Sequence, residues 1–127
     1  MNIKLNLPTS YVLFAHGSSV ETANASVRNV AAELARAGGY DVEPAFLEQG
    51  QPDLGGAIAI LAARGVKKVV VIPYFLTLGI HLQRDLPRIA SEATRIYPDV
   101  DVTITPPLDG HPSMLQILLD RAAQKQA

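Results

Sequence analysis

The sequence contains no cysteine among its 127 residues, which excludes disulfide bridges and thiolate metal sites. Imidazole, carboxylate and backbone oxygen are then the ligands it can offer an ion. The same absence agrees with a cytoplasmic location. An excess of one charge is also missing: 11 basic and 12 acidic residues give a formal net charge of −1, and no run of like charges stands out. Such a chain lacks the electrostatic footprint of a nucleic-acid or anionic-membrane partner, so neither is expected. No apolar run is long enough to cross a bilayer, and the opening MNIKLNLPTS lacks the continuous apolar stretch of a signal peptide. The G-x-S-x-G elbow is absent too, which removes an α/β-hydrolase from consideration.

What is present is one core's worth of apolar residues, 48% of the chain, too few for two ordinary domains. We read residues 1–10 as a short leader and 11–127 as a single α/β domain. Two unbroken apolar runs dominate it, Tyr11 to Ala15 and Val69 to Ile72. Runs of this length without polar alternation predict strands covered on both faces, as at the centre of a parallel sheet. Tyr40 to Leu47 predicts a strand confined to an edge, because Pro44 cannot donate a ladder hydrogen bond. Val100 to Thr105 alternates apolar and polar residues, which predicts a second edge strand with one wetter face.

Helical spacing separates these strands. The first helix carries Val20, Ala23, Val27, Val30 and Leu34, with Ser18 and Glu21 at capping-box spacing and Gly38-Gly39 as the stop. The second carries Leu54, Ala57, Ile58, Leu61 and Ala62. Leu86, Ile89, Ala90, Ala93 and Ile96 mark the third, with Asp85 as its cap and Pro87 in its first turn. In the fourth, Pro112 takes the first position, and Met114, Leu115, Leu118 and Ala122 form the apolar stripe. Four alternating strands and helices with short right-handed connections predict a three-layer α/β sandwich around a four-stranded parallel sheet of order 2-1-3-4. Winding then reverses between strands one and three, where such folds bind ligands beyond the carboxyl ends of the strands.

All three histidines of the sequence, His16, His81 and His111, fall at or just past predicted strand ends. Random placement would seldom do this. Neutral imidazole suits cobalt, iron, nickel and zinc, so His16 and His81 are candidate ligands for one divalent ion across the crevice, with coordination positions left open. Glu48 closes strand two on the same side and is a candidate third ligand or general base. His111 either touches a ligand in the crevice or, as the favoured reading, caps the fourth helix. The apolar loop from Tyr74 to Ile80 either folds back over the sheet or walls a large, flat, apolar ligand. Arg28, Arg84 and Arg88 stand where they could meet carboxylates of such a ligand, although arginines on helix surfaces are ordinary.

Five segments, taken together and in this order, resemble the small sirohydrochlorin cobaltochelatases, a branch of the class II tetrapyrrole chelatases. They are AHGS at Ala15 to Ser18, FLE at Phe46 to Glu48 with Pro52 and Leu54, VVVIPYFL, GIHLQRDLP at Gly79 to Pro87, and PPLDGHP at Pro106 to Pro112. The resemblance implies ATP-independent insertion of Co²⁺, or of Fe²⁺ or Ni²⁺, into sirohydrochlorin for cobalamin or siroheme synthesis. No cofactor beyond the substrate metal is implied. By that analogy His16 and His81 bind the metal, and one of them or Glu48 removes the pyrrole protons. Short members are similar to proteins that work as homodimers. Ser19 departs from the pattern, since many relatives carry an arginine directly after HGS. Phosphohistidine mutases share a strand-end His-Gly, but Ala15 stands in place of the arginine that would clamp a phosphate. A non-catalytic metal or tetrapyrrole carrier on the same fold is the alternative reading.

Overall fold

The computed structural model describes residues 9–124. Most of the expected leader, residues 1–8, lies outside the described residues, and Thr9 and Ser10 already belong to the first strand. The elements are β1 (Thr9–Ala15), α1 (Glu21–Gly38), β2 (Asp41–Phe46), α2 (Leu54–Ala63), β3 (Lys68–Pro73), α3 (Ile80–Ile96), β4 (Asp101–Ile104) and α4 (Ser113–Ala123). All pairings are parallel, and the strand order is β2-β1-β3-β4. Winding reverses between β1 and β3, as the placement of the apolar runs and of Pro44 predicted.

One face of the sheet is closed by α2 and α3. Val12, Phe14, Val69 and Val71 point into a single buried cluster with Leu54, Ala57, Ile58 and Leu61 of α2 and Leu86 and Ala93 of α3. Each of these side chains contributes roughly 1.5–3 kcal/mol of burial, less for alanine. α1 covers the opposite face over β1 and β2. At the amino ends of these strands Ser10 Oγ donates to Asp41 Oδ2 at 2.6 Å. Arg64, which closes α2, pairs with Glu43 at 2.7 Å.

Several local expectations need correction. The Ser18–Glu21 capping box does not form: α1 starts at Glu21 without a side-chain cap, and the Ser18 hydroxyl instead accepts from Val20 N at 3.0 Å. The inward face of α1 is centred on Asn24 and Ala31, with Val27, Val30 and Leu34 half-buried beside them as expected, while Val20 and Ala23 are exposed. α3 begins at Ile80 with Gly79 as N-cap, so Asp85 caps nothing and Pro87 lies inside the helix. Pro87 is exposed, where water can meet the carbonyl its missing N–H leaves open. Asp85 pairs with Arg88 at 3.1 Å instead.

The fourth helix departs furthest. α4 buries none of its residues, and Leu115, Leu118 and Leu119 are 65%, 61% and 54% exposed. Val70 and Ile72, on the face of β3 away from α2 and α3, are correspondingly only half-buried. The apolar stripe predicted for α4 exists, but nothing within the described residues covers it.

Candidate active site

β1 and β2 do not part company where the regular ladder ends. Leu47 N donates to Ala15 O at 2.9 Å and Glu48 N donates to His16 O at 3.0 Å, so the parallel pairing continues past both strand ends. Gly17 permits this. Its φ of +88° is left-handed, and a Cβ there would overlap the Glu48 carbonyl oxygen. The glycine is thus needed for the close approach of the two strand exits and for its own backbone conformation.

A buried amide completes the corner. Asn24, 2% exposed, donates through Nδ2 to Ser18 O at 2.9 Å and to Gln49 O at 2.8 Å, while its Oδ1 accepts from Ser18 N at 2.9 Å. One side chain therefore ties the loop after β1 to the loop after β2. Sequence reasoning missed it, because Asn24 sits beside Ala23, which was assigned to the apolar stripe. The available signal was a lone amide in the first turn of a helix that leaves a histidine-bearing loop.

The result is a pair of exposed, chemically able side chains on a rigid base. His16 Nε2 lies 3.6 Å from Glu48 Oε1. A carboxylate within reach of an imidazole can pass a proton to or from it. Phe75, from the apolar loop after β3, stands edge-on to the His16 ring with centroids 6.4 Å apart. That loop is held across the sheet ends by Tyr74 N to Phe14 O at 2.7 Å and Leu108 N to Phe75 O at 3.0 Å. Phe75 and Leu78 pack on the core, whereas Leu76 and Ile80 stay exposed. The loop thus folds back over the sheet through Phe75 and Leu78 and leaves Leu76 and Ile80 uncovered. A groove of about 300 Å³ lined by Phe14, Phe46, Leu47, Leu54 and Ile89 opens among the residues that precede His16 and Glu48.

The other predicted residues are placed differently. His81 lies in the first turn of α3 rather than in a loop, and its hydrogen bond is to Arg84, 3.0 Å from Nδ1, not to His16 or Glu48. His111 Nδ1 accepts from Ser113 N at 3.0 Å, the helix-capping role expected of it. Arg28 stacks over the Phe46 ring, 5.3 Å from its centroid, and pairs with Glu21 at 2.6 Å. Among the described residues no three His, Asp or Glu side chains are gathered closely enough to hold an ion. An ion received here would keep positions open for water or incoming nitrogen ligands.

Residues 10–125 match the CbiX family over nearly the whole chain. The chain belongs to the CbiX family. Among curated relatives it is 31% identical to a chloroplastic sirohydrochlorin ferrochelatase from Arabidopsis thaliana, covering 87% of this chain and 49% of that protein. It is 28% identical to a sirohydrochlorin cobaltochelatase from Methanopyrus kandleri, covering 87% of this chain and 92% of that one. Among solved structures, a CbiX protein from Marinobacter aquaeolei superposes with a TM-score of 0.80 at 23% identity, covering 91% of this chain and 94% of that chain. The sirohydrochlorin chelatase SirB of Bacillus subtilis subspecies spizizenii, in complex with cobalt, gives 0.79 at 20% identity, covering 91% and 50% respectively. This chain therefore covers most of the length of the Marinobacter and Methanopyrus proteins and about half the length of the Arabidopsis and Bacillus ones. At these identities the structural likeness speaks for the three-layer fold, which the two share.

Proposed function

We propose that this CbiX protein is an ATP-independent chelatase that inserts Co²⁺, with Fe²⁺ and Ni²⁺ as further candidates, into sirohydrochlorin. The observation that carries the reading is the His16–Glu48 pair, 3.6 Å apart beyond the carboxyl ends of β1 and β2, with His16 on the strand that borders the reversal of winding. Metal insertion delivers a partly desolvated ion to a macrocycle and removes two pyrrole protons. It therefore needs ligands that let go and a base within reach. His16 and His81 are the proposed metal ligands, with Glu48 as the base that relays protons through His16 or directly to water. Exposed imidazoles with few fellow ligands bind an ion loosely enough to release it to four ring nitrogens. Leu76 and Ile80 offer an apolar wall to the flat face of the macrocycle.

We further infer that two copies of the chain work together. The exposed leucines of α4, the half-buried face of β3 and an apolar groove of about 850 Å³ lined by Tyr74, Pro106, Leu108, Met114 and Ile117 lie on one side of the molecule. The Arabidopsis and Bacillus relatives are about twice as long, which supports a second copy as the missing cover. No helix among the described residues is long and apolar enough to cross a membrane, which agrees with the cytoplasmic location expected of such an enzyme.

Anaerobic visible spectroscopy of sirohydrochlorin with each ion tests the reading. Metallation should exceed the spontaneous rate and fall on the order of 100-fold in His16→Ala, with a loss in His81→Ala as well. A folded protein that binds the macrocycle but accelerates insertion of none of the three ions would instead be a carrier.

A further inference from the structure

The hydrogen bond between Arg84 and His81 restricts what His81 can do. A guanidinium has only donors and stays charged throughout the accessible pH range, so Arg84 Nη2, 3.0 Å from His81 Nδ1, must be donating to a ring lone pair. With the Nδ1 lone pair taken by Arg84, the N–H of the ring is on Nε2. Neither nitrogen is then ready for a metal: the Nδ1 lone pair is engaged, and Nε2 is a donor. Coordination through Nδ1 displaces Arg84 directly. Coordination through Nε2 first moves the proton, by way of solvent, to Nδ1, where it would face an arginine N–H and again expel the side chain. Arg84 has to leave in either mode.

The same surroundings indicate what draws it away. Arg84 is 71% exposed, and its nearest carboxylate oxygen is Asp85 Oδ1 at 3.9 Å, a group already bonded to Arg88 at 3.1 Å. Among the described residues the guanidinium thus has no anionic partner closer than 3.9 Å. His81, Arg84 and Arg88 follow at helical spacing on one face of α3, the helix whose Ile89 lines the groove with Phe14, Phe46 and Leu47. A planar fork of donors so placed favours a carboxylate in bidentate contact.

We propose that Arg84 is a positioning residue that masks His81 in the resting protein, and that a carboxylate arm of the incoming macrocycle draws it off and frees His81 for the ion. This rests on the reading of His81 as a metal ligand. The two binding events are then linked, each favouring the other to the same degree. The device keeps the protein from holding a free ion tightly before a macrocycle is there to receive it.

Calorimetric titration of macrocycle-free protein with Co²⁺ tests this, using wild type, Arg84→Met, Arg84→Lys, Arg88→Met and His81→Ala. Removing one exposed hydrogen bond should tighten Co²⁺ binding roughly fivefold in Arg84→Met. Arg84→Lys, which keeps donor and charge, should stay near wild type, and Arg84→Met should also raise the KM for sirohydrochlorin. Unchanged Co²⁺ affinity in Arg84→Met, with weaker binding in His81→Ala, would overturn the mask while leaving His81 a ligand. Equal tightening in Arg88→Met would assign the gain to lost positive charge on the helix and also overturn it. Unchanged affinity in His81→Ala would remove the ligand reading and the mask together.

Discussion

Where β1 and β2 end, the chain holds its candidate site from within: two backbone bonds, a left-handed glycine and the three hydrogen bonds of Asn24 fix the bases of His16 and Glu48. Where β3 and β4 end, the surfaces are left open. His81 is held only by a solvent-exposed arginine, Ile72 is half-buried, and α4 displays its leucines to solvent. Rigidity and openness are thus divided between two halves of one sheet. The closed half suits groups that must meet at a fixed spacing, and the open half suits groups that wait for something from outside the chain.

The division can be broken most forcefully at Gly17. Replacing it with alanine imposes a left-handed φ on a residue with a Cβ and drives that Cβ into the Glu48 carbonyl. Unfolding free energy should drop by about 3–4 kcal/mol in urea titrations. A loss under about 1 kcal/mol would mean the corner is not rigid. Asn24→Ala comes next, since it strips two carbonyls and one N–H of their partner in a buried setting. A loss of about 2–3 kcal/mol is expected, accompanied by slower metallation even under conditions where the variant stays folded. The smallest effect on stability belongs to the open half. Leu118→Glu should leave protomer stability within about 0.5 kcal/mol of wild type, yet shift sedimentation toward the monomer. A large stability loss there would show that α4 is packed within its own chain after all.

The sequence revealed the framework more readily than the joints. Strand order followed from two apolar runs and one proline: Pro44 needs an edge, and β2 is an edge. The approach of His16 and Glu48 followed from their places at the ends of neighbouring strands. Asn24 is hidden because Thr22-Ala23-Asn24-Ala25 offers small side chains on every side, so which of them turns inward leaves the periodicity of Val27, Val30 and Leu34 undisturbed. The start of α3 was misread because Asp85 and Pro87 are both residues that favour a helix beginning. Gly79, the actual N-cap, offers no side chain to signal it. Val69 to Ile72 gave no warning that one face of β3 is only half-covered. A β-branched run records that a surface is to be kept dry, not which chain keeps it so.

Asn24 also bears on the cysteines this sequence lacks. An extracellular protein would commonly join two such loops with a disulfide, a link that reductants open and that, once opened, leaves a pair of thiols. Here the suture is an amide, indifferent to redox poise. For the metal handling proposed above, it places no soft sulfur beside the imidazoles, and so no trap that would hold copper or zinc in place of the ion to be inserted.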